Sequence, residues 1–405
     1  MAEVQSVSPQ PPRKTWFGLS KNVVALGFVS FLTDVSSEMI YPLLPVFLTS
    51  ILGVSYTFVG LIEGVAESTA SVFKFFSGWV SDWIKKRKAL VFIGYGLSSF
   101  TRPLVAIATA GWHVLGVRFS DRIGKGIRTS PRDALVASST PESDRGKAFG
   151  FHRAMDNAGA VLGPLLAFWL LTIEPEHYRT VFWLASIPGL ISLIVIALFV
   201  TETGFEQIAN KAKRISLSLK PFDTRFKIYL IIVILFTLGN SSDAFLLLRA
   251  KSLNVPVTLL PILWVVLSAV KMVSSMPGGM LSDKIGRKKV IIAGWLIYAL
   301  VYFGFAFANT AWHIWGLFIV YGLFYGLTEG TEKALVADMV PNELRGTAYG
   351  LFNFAIGIAA FPASLLMGII WQAYGVIPAF LFGASLAFIA AILFILTVPI
   401  AKKSD

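Results

Sequence analysis

Several ionisable side chains lie inside long apolar segments of this chain, where a charge is costly. Asp34 and Glu38 are four residues apart, so on an α-helix their carboxylates lie on one face. A charge at the centre of a bilayer costs about 2.5–3.5 kcal/mol, so a carboxylate there should be paired, face a cavity or carry a proton. Asp34 is therefore the first candidate for proton coupling and Glu38 the second. Asp243, which takes the place of Glu38 in a later segment, is the third.

A row of cations lies in another apolar segment, which is the fourth along the chain. At 100° per residue the five cations fall within an arc of about 120°, which predicts a stripe that faces the interior of a helix bundle. Asp34 and Glu38 either exchange a proton for a cationic partner during a conformational change, or only neutralise the stripe and fix helix packing. A cationic cavity suggests anionic or zwitterionic cargo. The stripe consists of Arg118, Arg122, Lys125, Arg128 and Arg132, and Asp133 follows it directly.

Other charged residues in the apolar segments are expected to have structural roles. Glu63 and Glu67 of the second segment are expected to line an entrance or to pair with Lys74. In the tenth segment Glu332-Lys333 stands where the fourth has Arg132-Asp133. This reversal of sign makes an ion pair between the fourth and tenth segments geometrically attractive.

The composition excludes most soluble and catalytic classes. The chain has 405 residues, of which 55% are hydrophobic and 14% charged, and its mean hydropathy is +0.71. A soluble domain of this length would need more polar surface. The absence of cysteine excludes disulfides, thiol catalysis and Cys-based metal sites. The four His residues are scattered, and no nucleophile–base pair or phosphate-binding loop is present, so we expect no enzyme, no cofactor and no metal site.

Twelve apolar runs of about 20 residues or more predict an all-α polytopic membrane protein with two pseudo-symmetric six-helix bundles. Nearly all Lys and Arg residues of the loops fall on one side, which predicts that both termini are cytoplasmic. The expected location is a bacterial-type inner membrane. The one-sided placement of Lys and Arg explains the net charge of +12 without nucleic acid. The predicted parts are a tail at 1–21, a bundle at 22–200, a linker at 201–227, a second bundle at 228–400 and a tail at 401–405.

The two halves of the chain repeat each other. The run Ala-Leu-Val-Ala at 134–137 recurs at 334–337. A repeat this long and collinear predicts two parallel halves related by an axis along the membrane normal. A second repeated pattern, at the end of the second and eighth segments, is Gly78-x-x-x-Asp82 and Gly279-x-x-x-Asp283.

These residues resemble the major facilitator superfamily, whose loop after the second span reads G-x-x-x-D-R/K-x-G-R-K/R. The second half matches fully, with Gly286 and Arg287 after Gly279 and Asp283. The first half keeps Gly78 and Asp82, but Lys85 replaces the inner Gly. The resemblance implies a gate at these positions, a fold of two rocking halves and a monomer. The Gly residues are expected to let helices approach closely.

The fourth and fifth spans resemble particular members of that superfamily. Proton-linked members carry R-x-x-x-G-x-G in the fourth span, where this chain has Arg118, Arg122 and Gly124. In such relatives an acidic residue of the first span near an Arg of the fourth carries proton coupling. Exporters carry G-x8-G-x3-G-P-x2-G-G in the fifth span. Here the motif is matched by Gly150, Gly159, Gly163 and Pro164, and the final Gly pair is replaced by Ala167 and Phe168.

The sequence thus predicts a secondary transporter that works by alternating access and exports small amphiphilic or anionic organic molecules in exchange for protons. Its expected partners are the cargo, protons and the lipid bilayer. One alternative is a proton-coupled importer of an anionic nutrient or a siderophore-like metal chelate. Another is a membrane receptor or scaffold that does not transport, which the intramembrane carboxylates disfavour.

Overall fold

The structure is a computed structural model of the chain. It describes residues 15–16, 18–84, 86–141, 144–175, 177–202, 219–341 and 344–397. The side chains of residues 15–16 and 78–84 are outside the description.

The described chain forms twelve long helices, which confirms the predicted all-α fold. The first half contains α1 Lys21–Ile51, α2 Tyr56–Ile84, α3 Arg87–Ile107, α4 Gly111–Ser138, α5 Arg145–Ile173 and α6 Tyr178–Phe199. The second half contains α7 Thr224–Ser252, α8 Val257–Ile285, α9 Arg287–Phe307, α10 Ala311–Asp338, α11 Arg345–Tyr374 and α12 Val376–Thr397.

A two-stranded hairpin precedes the helices. Strand β1, Thr15–Trp16, pairs antiparallel with β2, Leu19–Ser20. The Ser20 side chain then accepts a hydrogen bond from the Val23 amide and caps α1, because the first amides of a helix have no partner within it. We call the end of the protein where α1 begins the basic side, and the other end the opposite side.

Ten of the twelve helices are long and apolar enough to cross a bilayer by length and composition alone. The two others, α2 and α4, contain the charged residues around which the site is built. Five of their charged side chains, those of Glu63, Arg118, Asp121, Arg122 and Arg128, are buried between helices, where lipid cannot reach them.

The two halves have the same internal arrangement. In the first half α4 packs on α2 and α3, and α1 packs on α5 and α6. In the second half α10 packs on α8 and α9, and α7 packs on α11 and α12. Since the same partners meet in both halves, the repeat in the sequence corresponds to a repeat in helix packing, as two pseudo-symmetric bundles require.

The halves meet along α2 and α11 and along α5 and α8. The α2–α11 contact is close because small residues face backbone atoms there. A Cβ added to Gly60 would lie 2.3 Å from the Ser364 carbonyl oxygen, and one added to Gly368 would lie 2.4 Å from that of Tyr56. We call this contact the α2–α11 seam. Backbones approach this closely in membranes only where side chains are absent.

Helix α7 is interrupted in its middle. It runs as Thr224–Gly239 and resumes as Ala244–Ser252. Between the two parts, the Ser242 amide donates a hydrogen bond to the Ser364 hydroxyl of α11 at 3.2 Å. Asp243 occupies the N-cap position of the second part. The interruption therefore places the Asp243 carboxylate inside the second bundle. In an unbroken helix the backbone at this point would be paired by helical hydrogen bonds.

Candidate translocation site

The two carboxylates of α1 are positioned by glycines of α5. A Cβ added to Gly159 would lie 2.6 Å from the Phe31 carbonyl oxygen and 2.9 Å from the Asp34 Cβ. A Cβ added to Gly163 would lie 3.0 Å from the Glu38 Cβ. Two residues of the exporter-like motif thus hold α1 against α5 at the level of the predicted coupling residues. The close contact exists because glycine has no side chain.

Gly150 does not share this role. A Cβ added there would meet nothing within 4 Å, so the expectation that every glycine of the motif packs tightly is wrong for this position. Pro164 lies buried inside α5, and the helix continues through it. Proline leaves one carbonyl of the preceding turn without its amide partner, which the neighbouring helices must accommodate.

The carboxylate of Asp34 is half-buried near the middle of α1. Within the described residues we find no hydrogen bond and no ion pair that reaches its side-chain oxygens. The charged groups that interact with it electrostatically are Asp156, Glu38, Lys125 and Arg128. Asp34 thus lies between like and unlike charges without a direct partner.

Glu38 is bound from the other half of the molecule. The indole Nε1 of Trp264, on α8, donates a hydrogen bond to the Glu38 Oε2 at 2.7 Å. The Trp264 ring also contacts the Tyr41 ring, with centroids 4.9 Å apart. This contact joins α1 to α8 in the part of the bundle nearer the opposite side.

Glu63 lies close to that contact and is almost fully buried, with 1% of its surface exposed. The Arg118 Nη2 donates to both Glu63 carboxylate oxygens at 2.9 Å. The Ser242 hydroxyl, from the second half, donates to Glu63 Oε2 at 3.2 Å. The expectation that Glu63 lines an entrance or pairs with Lys74 is therefore wrong, because the guanidinium of α4 reaches this carboxylate directly.

The cationic stripe of α4 is largely neutralised. Arg118, Arg122 and Arg128 are buried, as predicted for an inward-facing stripe. Arg122 pairs with Glu67 at 3.3 Å. Arg128 donates to the Ser98 hydroxyl at 2.6 Å and lies over the ring of Tyr95, 4.3 Å from its centroid.

The stripe ends in a local ion pair. Arg132 binds the adjacent Asp133 at 2.9 Å, whereas Glu332 accepts a hydrogen bond from the Trp295 indole at 2.8 Å. Lys333 lies 3.7 Å from Glu329 on its own helix. The expected ion pair between the fourth and tenth spans is thus absent among the described residues, because each group finds a partner inside its own half.

Asp243 is bound by two tyrosines of α10. The Tyr321 hydroxyl donates to Asp243 Oδ1 at 2.6 Å, and the Tyr325 hydroxyl donates to Oδ2 at 3.2 Å. No cation of the described chain comes within 4 Å of this carboxylate. The third predicted coupling residue is therefore held by neutral donors only.

A second cluster connects the halves closer to the basic side. Lys271 of α8 binds Glu329 of α10 at 3.0 Å. Arg153 of α5, in the other half, binds the same carboxylate at 3.2 Å. The Lys271 ammonium also lies over the ring of Tyr325, 4.3 Å from its centroid. The Glu329 carboxylate therefore binds cations from both halves.

The second copy of the predicted gate motif lies at the turn between α8 and α9. Gly286 has φ +99°, a conformation that favours glycine, and it allows the chain to turn directly from α8 into α9. Arg287 then binds Asp283 at 3.0 Å and also binds Asp338, so it joins the ends of α8, α9 and α10. A Cβ added to Gly279 would meet nothing within 4 Å, so the predicted close packing is wrong at that position.

The first-half copy of the gate falls outside the described side chains, which excludes Gly78 and Asp82 from comparison. Among the residues that the structure does describe, no group of three or more His, Asp and Glu side chains could hold a metal ion.

Sequence reasoning overlooked the neutral donors of the site. Trp264 binds the Glu38 carboxylate, and Tyr321 and Tyr325 bind that of Asp243. No pattern in the sequence separates Trp264 from the other aromatic residues. A signal did exist for the tyrosines, because Tyr321 and Tyr325 are four residues apart and so share one face of a helix.

Comparison with known proteins agrees with this architecture. The family model described as Major Facilitator Superfamily matches residues 26–248 and 229–405. An uncharacterized MFS-type transporter of Methanocaldococcus jannaschii is 36% identical over 381 residues, which make up 93% of this chain and 94% of that protein. Multidrug resistance protein MdtG of Enterobacter lignolyticus is 22% identical over 341 residues, which make up 81% of this chain and 80% of that protein.

The crystal structure of the nucleoside transporter NupG has the same fold, with a TM-score of 0.79 at 15% identity over 92% of this chain and 98% of that one. A likeness at this identity concerns the fold alone. The family model and the archaeal relative together cover nearly the whole chain. This chain therefore belongs to the Major Facilitator Superfamily and is a multi-pass membrane transporter rather than an enzyme.

Proposed function

We propose that the protein exports small amphiphilic organic molecules in exchange for protons, by alternating access between its two halves. The basic side is the cytoplasmic side in this proposal, because short cytoplasmic loops carry an excess of Lys and Arg. The membrane is the plasma membrane of a prokaryote, both termini are cytoplasmic, and the working unit is the monomer.

One observation carries the proposal. Three carboxylates of the central region, Asp34, Glu38 and Asp243, have no basic group within 4 Å in the described chain. Their neighbours Glu63, Glu67 and Asp121 all have one. Glu332 of α10 also has no cation within 4 Å in the described chain, but all three residues that the sequence nominates for proton coupling share this property.

Physical chemistry explains why this difference matters. A carboxylate with an adjacent guanidinium remains charged, because neutralising it would leave the cation buried alone. A carboxylate without a cation bears the cost of a charge in the bilayer interior, and a proton removes that cost. Asp34 is the foremost candidate, since its oxygens have no donor at all among the described groups and the charges around it are of both signs.

Export is favoured over import by the role of α5. The glycines of the exporter-like motif set the distance between α1 and α5 at Asp34 and Glu38. Movement of α5 against α1 would therefore alter the surroundings of both coupling carboxylates. The similarity to proteins named multidrug resistance proteins points in the same direction.

Amphiphilic cargo fits the charge balance better than purely anionic cargo does. Arg118, Arg122 and Arg132 of the stripe are each paired with a carboxylate. Lys125 and Arg128 have no carboxylate within 4 Å in the described chain, so the surplus positive charge that would attract an anion is smaller than the sequence suggests. This balance also disfavours the alternative of an importer for anionic nutrients or metal chelates.

The test uses purified protein in liposomes that contain a pH-sensitive dye. An inside-acid gradient is imposed, and a cationic dye, a bile salt and an iron–siderophore complex are added outside in separate runs. Proton movement that each compound evokes is compared between wild type and Asp34→Asn. Glu174→Gln, at an exposed surface position, is the matched control.

Cargo-evoked proton efflux that disappears in Asp34→Asn but persists in Glu174→Gln supports exchange through α1. Proton movement together with cargo, instead of against it, would show an importer. An unchanged response in Asp34→Asn would remove this residue from the mechanism and direct the test to Glu38 and Asp243.

A further inference from the structure

Lys271 is the one cation of α8 that lies in the middle of the bundle, and it contacts both parts of the site in the second half. Its ammonium is 3.0 Å from Glu329 and 4.3 Å from the centroid of the Tyr325 ring. The hydroxyl of that same tyrosine donates to Asp243. Lys271 is thus separated from the Asp243 carboxylate by a single aromatic ring, and the two groups interact electrostatically.

Glu329 is shared by an unusual number of cations. It binds Lys271 at 3.0 Å, Arg153 at 3.2 Å and Lys333 at 3.7 Å. Of these, Arg153 belongs to α5 in the other half, so its ion pair holds the halves together toward the basic side. The cations repel one another at these distances. Each of them therefore weakens the ion pairs that the Glu329 carboxylate forms with the other two. Removal of Lys271 would therefore strengthen the ion pair between the halves.

We propose that Lys271 is a positioning residue that transmits the charge of Asp243 to the Arg153–Glu329 ion pair. When Asp243 is protonated, Lys271 stays on Glu329, as in this structure, and weakens the contact between the halves. When Asp243 loses its proton, its charge draws Lys271 past the Tyr325 ring, and Glu329 binds Arg153 more strongly. The inference rests on the proposed function, since it supplies the link between proton binding and helix movement.

The direction of this coupling is the one that proton exchange requires. The protonated protein loosens on the basic side and can release its proton there. The deprotonated protein closes on the basic side and opens to the other. Two sites are coupled when each of them biases the same two-state element. Such coupling typically changes the binding affinity at one site by about 5- to 150-fold.

Several other groups face Asp243 and bear on its charge. Those of the second half are Lys271 on α8, Tyr298 and Tyr302 on α9, and Tyr321 and Tyr325 on α10. Those of the first half are Tyr41 on α1 and Glu67 on α2. Glu63 and Arg118 of the first half lie beyond the neighbouring Ser242 and are paired with each other, so Lys271 is the cation of this set that a charge on Asp243 would attract.

The experiment measures the distance between α5 and α8 near the basic side. Because the chain contains no cysteine, Phe149→Cys and Met280→Cys provide the sole thiols for two spin labels, and both positions are exposed. Distances between the labels are recorded by pulsed electron paramagnetic resonance in lipid nanodiscs, in acidic and in alkaline buffer. No cargo is added, so the proton is the only ligand.

We expect the labels to be closer in alkaline than in acidic buffer. Asp243→Asn should retain the longer, acidic distance in both buffers. Lys271→Gln should lose the response to pH, and Lys271→Arg, which keeps the charge, should restore it. Lys251→Gln, an exposed position in the last turn of α7, should respond as the wild type does.

A full pH response in Lys271→Gln overturns the inference, and so does a wild-type distance that ignores pH while proton movement in liposomes persists. Either result would leave proton exchange intact, because the liposome experiment decides that independently. Recovery of the pH response in Lys271→Arg would show that misfolding is not the reason for its loss in Lys271→Gln.

Discussion

Gly159 of α5 lies so close to Asp34 of α1 that a Cβ on the glycine would be 2.9 Å from the Asp34 Cβ and 2.6 Å from the Phe31 carbonyl oxygen. A backbone oxygen cannot rotate away as a side chain can. Gly159→Ala should therefore push α1 and α5 apart, at a cost of about 1–3 kcal/mol for overpacking. We expect a lower melting temperature in detergent and slower cargo-evoked proton movement.

Gly150→Ala is the matched control for this prediction. It changes a glycine of the same helix and motif, but a Cβ there has open space around it. Both stability and proton movement should stay at the wild-type level. If Gly150→Ala were as damaging as Gly159→Ala, close packing against α1 would not be the reason for the glycines.

Removal of Arg118 should destabilise the protein more than removal of the whole ion pair does. Arg118→Met leaves the Glu63 carboxylate buried without a cation, and breaking a buried pair in this way costs about 3–5 kcal/mol. Adding Glu63→Gln should recover part of the loss, since no charge then remains. Thermal unfolding of the single and double variants in detergent measures the difference. A double variant less stable than Arg118→Met would contradict the argument.

Trp264→Phe should affect proton movement through Glu38. The substitution removes the indole N–H that binds Glu38 and keeps an aromatic ring beside Tyr41. A hydrogen bond to a charged group contributes about 1.5–3 kcal/mol, and without it the halves lose one of their contacts. We expect a changed pH profile of proton movement in liposomes. Trp169→Phe, at an exposed position of α5, should leave that profile unchanged.

Arg287→Gln should impair transport without much loss of stability. Arg287 joins Asp283 to Asp338 at the ends of three helices, but both carboxylates are largely exposed. Ion pairs of this kind contribute about 0–1 kcal/mol to stability. A variant that unfolds several degrees earlier would show that the gate residues are structural. The control is Arg225→Gln, whose side chain and its partner Asp223 are both exposed.

The sequence could nominate coupling carboxylates because their signal is local. Asp34 and Glu38 share one face by helical spacing alone, and a charged residue in an apolar segment stands out without knowledge of its surroundings. Helix number and the repeat of the two halves followed from equally local features, namely apolar runs and recurring short patterns. These properties could be predicted because they do not depend on which helices pack against each other.

The partners of the carboxylates could not be predicted, since each comes from a distant helix. Glu38 is bound by Trp264 and Glu63 by Ser242, both from the other half of the chain. Of the α4 stripe, Arg118, Arg122 and Arg128 are buried, whereas Lys125 is exposed. The charge balance of the stripe was missed, because the acids that neutralise Arg118 and Arg122 lie on α2.

The interruption of α7 has a consequence for how easily its backbone opens. A helix that stops in mid-membrane leaves backbone groups without helical partners, and hydrocarbon cannot satisfy them. In this chain one such amide, that of Ser242, is bound by Ser364, and the adjoining Asn240 amide bonds only to the turn before it. Fewer amides are therefore held by regular helical hydrogen bonds at this level than in a continuous helix. Amide hydrogens of the interruption should exchange with deuterium sooner than those of the unbroken α9, so α7 has its most easily opened backbone at mid-membrane rather than at its ends.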